Sequence, residues 1–374
     1  MTTMSRMGRG LIVVGMLGTV GASGASRVAA APLLDVAGLG QGAQETEARR
    51  RAEREATRDR ARDTHREQSR ESREPREGRD GRQGPPRWVD AAEGPLVRTF
   101  KGGTGITLDL LNSYGDIVVL GNDGREGTVQ ATRRVSAGVD PAEVQKVIRA
   151  LQIDMVQHGN RVAVRTLSPT SRRVRIDYKI ALPAGTALDL KNMQGNVRLT
   201  NLAGDVRVDA VAGDVVGEAL SRVRLLRSMS GDVTLSRSTV DGDANLQTVS
   251  GDVLASGVAA GSLTLGSVSG TVHVRDSSSE RANVRTVSGD IEFMALPRKA
   301  GRYELKTHAG NILVLTTRGR GFEFEATTLR GAVTTDLPTS PGAPGMRNVR
   351  GTIGDGSAFF DLTTFAGDIK ITKR

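Results

Sequence analysis

The feature that most constrains this chain is a glycine that returns about every twenty residues. Gly231, Gly251, Gly270, Gly289, Gly310, Gly331 and Gly351 are separated by 20, 19, 19, 21, 21 and 20 residues. Most carry the same phrase, a small residue, Gly, Asp or a substitute, and an aliphatic residue. Examples are Ser230-Gly231-Asp232-Val233, Ser250-Gly251-Asp252-Val253, Ser288-Gly289-Asp290-Ile291 and Ala366-Gly367-Asp368-Ile369. Ala203-Gly204-Asp205-Val206 and Ala212-Gly213-Asp214-Val215 repeat it at half the spacing. Variants stand at Gly195-Asn196, Gly270-Thr271, Gly310-Asn311, Gly331-Ala332 and Gly351-Thr352. A second glycine set, Gly242, Gly261, Gly301 and Gly321, falls about halfway between.

A fixed period of this length is the signature of a stacked repeat fold. Each unit reads as two short strands joined by turns. The expectation is an all-β, parallel β-solenoid of two-strand rungs, about 4.8 Å apart. From Gly195 to Gly367 this gives roughly nine rungs and a rod of about 40 Å. Alternation places Val233, Leu235, Leu246, Val249, Val253, Leu263, Leu265, Val268, Val272, Val274, Val284, Val287, Ile291, Phe293, Leu305, Ile312, Val314, Phe322, Phe324 and Ile369 inside. Composition agrees: 46 glycines supply turns, and aromatics at 3% leave a narrow aliphatic core.

Ahead of the repeats, residues 96–185 read as a β-rich cap. Strands are expected at 106–110, 115–119, 128–135, 161–165 and 174–182. One helix interrupts them, with Asp140 as N-cap, Pro141 in its first turn, and Val144, Val147, Ile148 and Leu151 on one face. It is expected to cover an open end of the sheet. At the other end, the lysines of Ile369-Lys370-Ile371-Thr372-Lys373 are expected to discourage edge pairing. The domain reading is therefore 1–30 signal peptide, 31–95 linker, 96–185 cap and 186–374 solenoid.

The signal-peptide reading rests on a basic start with Arg6 and Arg9, an uncharged stretch from Leu11 to Ala25, and small residues at Val28-Ala29-Ala30. It implies an exported chain, periplasmic or at the cell surface. No later stretch is apolar and long enough to span a bilayer as a helix. The linker holds fourteen arginines from Arg49 to Arg87 and eleven acids from Glu45 onward. It is too polar to offset its ordering entropy and reads as a disordered spacer. An Arg-rich contact for an anionic polymer is the rival; the interleaved acids oppose it, and no specific nucleic acid is expected.

The structural-turn residues are Gly204, Asp205, Gly213, Asp214, Gly231, Asp232, Gly251, Asp252, Gly270, Gly289, Asp290, Gly310, Gly331, Gly367 and Asp368. Gly supplies the corner, and Asp bonds nearby amides to fix the turn. A rival reading makes Asp232 and Asp252, on adjacent rungs, a weak Ca²⁺ site or the acid pair of a polysaccharide-cleaving β-helix. The broken Asp column argues against Ca²⁺, and equivalent turn positions argue against catalysis. With no cysteine, and with His65, His158, His273 and His308 far apart, no metal site, cofactor or catalytic residue is expected. The net charge of +10 favours acidic partners mildly. Arg222, Arg224 and Arg227 form the densest basic cluster in the repeats and are the candidate polymer contact.

The segments Gln247-Thr248-Val249-Ser250-Gly251-Asp252-Val253, Arg285-Thr286-Val287-Ser288-Gly289-Asp290-Ile291 and Ile176-Asp177-Tyr178-Lys179-Ile180-Ala181-Leu182-Pro183-Ala184-Gly185 resemble a bacterial adhesin-type β-strand-repeat family, a domain of unknown function. The resemblance runs from about Val97 to the end. It implies a β-solenoid on exported or membrane-tethered proteins and carries over no catalytic residue. The functional expectation is an adhesin-like envelope binding module that contacts a glycan or other envelope polymer through its regular faces. A self-assembling scaffold is the alternative, and an enzyme is disfavoured.

Overall fold

The computed structural model describes residues 87–91, 94–138, 140–167, 173–316, 321–337 and 347–373. The expected signal peptide and most of the expected linker lie outside the described residues.

The described chain is a parallel β-solenoid. Each rung is a strand, a glycine corner and a second, usually shorter strand. Thr239–Ser250 turns at Gly251 into Val253–Ser256, and Ala259–Ser269 turns at Gly270 into Val272–Arg275. Ser250 pairs with Ser269 and Val253 with Val272, so like residues stack on like. Rungs thus build two ladders, a long one and a short one. Inward side chains such as Leu246, Val253, Leu265 and Val272 are buried. Toward one end the core turns aromatic: Tyr303 stacks on Phe360 at 4.5 Å, with Phe293 and Phe322 against Phe360 at 5.6 and 4.6 Å.

The stacking order departs from chain order at both ends. Successive corners are Gly115, Gly195, Gly213, Gly231, Gly251, Gly270, Gly289, Gly310, Gly367 and Gly331. A further rung, Arg161–Leu167 with Val174–Pro183, stacks outside the one turning at Gly115. At the far end, Phe359–Ala366 lies between Arg302–Ala309 and Phe322–Arg330, although it follows both in sequence. The rod is therefore longer than nine rungs.

Three sequence expectations are corrected here. Gly351 is no corner: it lies in Asn348–Ile353, which runs antiparallel along Phe322–Arg330. Gly331 does not follow Gly310, because the Gly367 rung is inserted between them. Nor is Ile369–Lys373 an edge strand; it pairs on both sides, with Ile312–Thr316 and Val333–Thr335.

Antiparallel strands close the outermost rung at one end. Gln152–His158 covers Arg161–Leu167, and Glu126–Ser136 covers Val174–Pro183. Such covering removes the unpaired parallel edge on which another chain could grow. The helix Pro141–Ala150 begins where Asp140 accepts a hydrogen bond from Ala142 N at 2.9 Å, and it buries Ile148, with Leu151 at its C-cap, in the core.

Parallel stacking leaves each corner carbonyl facing the next rung. The residue three before each corner supplies the donor. Ser228, Thr248, Ser267, Thr286 and Thr307 are buried, and their hydroxyls donate to the carbonyls of Gly213, Gly231, Gly251, Gly270 and Gly289 at 2.9, 2.8, 2.9, 3.1 and 3.0 Å. Ala210 has no hydroxyl, and Asn192 Nδ2 takes its place on Gly195 O at 2.8 Å. Thr248→Val keeps the shape and strands the Gly231 carbonyl, so urea unfolding should show a loss of about 1–3 kcal/mol, with Thr248→Ser near wild type.

Candidate binding face

This hydroxyl column moves its neighbour outward. Strand alternation puts Leu246 and Thr248 inside, so Val249 faces solvent. Val249, Val268 and Val287, expected in the core, are 38%, 46% and 49% exposed. The buried hydroxyl occupies the place that sequence reading gave to the valine. The same outward position is filled by Met193, Val211, Met229, His308, Phe365 and Leu329 on the other rungs. An apolar row therefore runs from Met193 to Leu329, interrupted only by His308, whose ring stacks on Phe365 at 4.7 Å. At one strand spacing per rung it is about 38 Å long.

Two residues earlier, the next outward row reads Lys191, Asp209, Arg227, Gln247, Gly266, Arg285 and Lys306. Gly266 has no side chain, and a groove of about 430 Å³ opens there. Val249, Val268, Thr264 and Asn283 line it, with Arg227 and Arg285 beside them. A Cβ on Gly266 would meet only Arg285 O at 3.9 Å, so the gap is not forced by backbone packing.

The cluster Arg222, Arg224 and Arg227 separates in space. Arg222 lies 4.0 Å from Asp241 and Arg224 lies 3.3 Å from Asp205, both across rungs. Arg227 makes no ion pair among the described residues and lines the groove. Arg285 pairs with Glu304 at 3.0 Å. Hydrogen bonding from Lys306, against the opposing effect of burial, holds the Glu304 carboxyl below its usual range; that bond also raises Lys306.

The Gly-Asp residues form a second column on the adjoining corner. Each aspartate accepts from the backbone amide of the next rung, not from its own turn. Asp232 N donates to Asp214 Oδ1 at 2.9 Å, Asp252 N to Asp232 Oδ1 at 2.8 Å, and Thr271 N to Asp252 Oδ1 at 2.7 Å. Thr271 lacks a carboxylate, and the column resumes with Asn311 N on Asp290 Oδ1 at 2.7 Å and Ala332 N on Asp368 Oδ1 at 2.9 Å. Gly204 and Asp205 stand apart, at the opposite corner, where Gly204 N meets Ala184 O at 2.9 Å. Among the described residues, no group of three or more His, Asp or Glu side chains is arranged to hold a metal ion. No helix there is long and apolar enough to cross a membrane.

Comparison with solved structures finds chains similar to this one at low identity. A candidate adhesin from Bacteroides fragilis is 15% identical, with 76% of this chain and 98% of that one covered and a TM-score of 0.38. A candidate adhesin from Parabacteroides distasonis is 13% identical, over 75% and 98%, with a TM-score of 0.38. A candidate lipid-binding protein from the same species is 10% identical, over 76% and 99%, at 0.29. No curated protein sequence matches the chain significantly. The sequence model of the Toastrack family, DUF4097, matches residues 180–372, more than half of the chain and nearly every rung described above. This chain belongs to the Toastrack family.

Proposed function

We propose that this chain is an exported cell-envelope module that binds, without catalysis, a polymer laid along the long ladder. The observation that carries the reading is the exposed apolar row beside the Gly266 groove. A contiguous outward apolar row on a folded surface marks an interaction site. Here the row is straight, and its flanking side chains recur at one strand spacing. Such a surface matches a ligand that itself repeats. Arg227 and Arg285 stand three rungs apart, about 14 Å, and frame an uncharged centre of Gln247, Thr264 and Asn283. That centre suits hydroxyl and amide groups, and the arginines suit carboxylates, so an acidic glycan or peptidoglycan strand is the ligand class we favour. Export is supported by the basic-then-apolar start of the sequence. The absence of catalysis is supported by the engagement of Asp232 and Asp252 with backbone amides.

The test is a co-sedimentation assay with insoluble peptidoglycan and a glycan array, using wild type, Gly266→Gln and Val268→Asp. Both substitutions lie on the surface and should leave the melting temperature within about 2 °C. Each should weaken binding tenfold or more. Uniform blanks for wild type would end the polymer reading. Concentration-dependent light scattering abolished by Val268→Asp would instead favour lateral self-association through the same row.

A further inference from the structure

The corner opposite the glycines is regular over three successive rungs and then changes. Three successive rungs cross it in two residues, Arg237-Ser238, Gly257-Val258 and Asp276-Ser277. The next crossing takes seven, residues 295–301, between Ile291–Met294 and Arg302–Ala309. The following strand starts late: Arg281 pairs with Arg302, so 278–280 have no partner in that strand. A cleft of about 860 Å³ opens between them. It is a built feature. Tyr303 Oη accepts from Arg298 N and donates to Ser279 O, both at 2.8 Å. Arg298 Nε donates to Ser278 Oγ at 2.8 Å, and Ala300 N to Ser357 O at 2.6 Å.

Four cations line the cleft, Arg281, Arg298, Lys299 and Arg302, against one carboxylate, Glu280. Glu280 lies 3.9 Å from Arg298. The other three cations make no ion pair among the described residues. Several other arginines of the solenoid are matched to an acid one rung away: Arg224 with Asp205, Arg285 with Glu304, Arg275 with Glu292. Arg281 and Arg302 instead stack on each other in register, where like charges repel. Two guanidinium forks one strand spacing apart can each donate two hydrogen bonds to a tetrahedral oxyanion.

We propose that this cleft binds a phosphate-type oxyanion held between Arg281 and Arg302, with Lys299 adding charge. The phosphate belongs either to a soluble ester or to a membrane headgroup; Leu296, 56% exposed at the rim, lies where an acyl region would meet the second. The site is at the other end of the long strands from the apolar row, and its test does not depend on polymer binding.

The experiment is thermal unfolding of the full chain in sodium phosphate against sodium chloride at equal ionic strength. It compares wild type, Arg281→Gln/Arg302→Gln and the control Lys191→Gln. Phosphate should raise the wild-type and control midpoints by about 4 °C and leave the double variant unmoved. In chloride the double variant should melt above wild type, because the repulsion is gone; a misfolded variant would melt below it. A parallel arm sediments the proteins with phosphatidylglycerol or phosphatidylcholine vesicles. Wild-type binding to phosphatidylglycerol, lost in the double variant and kept in Lys191→Gln, identifies the headgroup as the source even if free phosphate is silent. A phosphate shift retained by the double variant, or no response to either probe, overturns the proposal.

Discussion

Gly231→Ala should destabilise the solenoid by about 3 kcal/mol or more, the range of backbone strain combined with steric overlap. Gly231 has φ +146°, a region that L side chains rarely adopt. A Cβ there would lie 2.3 Å from Gly213 O, a backbone atom that cannot swing aside. Moving it means widening the rung spacing at one corner. That would stretch the bonds Gly213 N to Ser230 O, 2.8 Å, and Asp232 N to Asp214 Oδ1, 2.9 Å. Two other glycines calibrate the result. Gly242 has φ +93° but open space around it, so Gly242→Ala should cost only the conformational preference, about 1 kcal/mol. Gly266→Ala should be near neutral. Urea unfolding of the three variants reads the series directly. Equal losses at all three positions would mean that close stacking at the corner is not what the glycine column serves.

The same column explains what was legible in the sequence. A period of about twenty residues follows from the rung geometry, and every corner that admits no Cβ has to be glycine. Repetition therefore announced the solenoid, its two-strand rungs and most of the core. It said nothing about which rung lies on which. Gly351-Thr352-Ile353 imitates a corner phrase at the expected spacing, yet pairs antiparallel across Phe322–Arg330. The apolar row was missed for a related reason. Thr248 and Val249 are both good strand residues, and only the unpaired Gly231 carbonyl decides that the hydroxyl goes inside. Arg227 was found within a basic cluster, but its freedom depends on acids nearly a rung away in sequence, Asp205 and Asp241, that occupy its neighbours. The oxyanion cleft left one trace: the step from Gly289 to Gly310 is 21 residues where the two before it are 19.

Removing the last rung should do far more than shorten the rod. In an ordinary stack, each repeat contacts only its neighbours, and loss of a terminal repeat costs that repeat alone. Here the last strands in sequence are not the last in space. Phe359–Ala366 bridges Arg302–Ala309 to Phe322–Arg330, and Ile369–Lys373 bridges Ile312–Thr316 to Val333–Thr335. A chain ending at Gly356 loses Phe360, Leu362, Ile369 and Ile371, all buried. It also opens a gap of one rung inside the core, exposing Tyr303 and Phe322 on either side of the missing Phe360. The outer rung at Gly331 and its antiparallel cover then have nothing to stand on. The expected loss exceeds the ~4–5 kcal/mol that is already exceptional for a point substitution. Hydrogen exchange should show full loss of protection in Phe322–Arg330 and Asn348–Ile353, with protection kept from Val197 to Val287. The single substitution Phe360→Ala should reproduce part of the effect, about 3–5 kcal/mol. Retained protection in Phe322–Arg330 after truncation would mean that this strand can pair with Arg302–Ala309 directly, and that the insertion is dispensable.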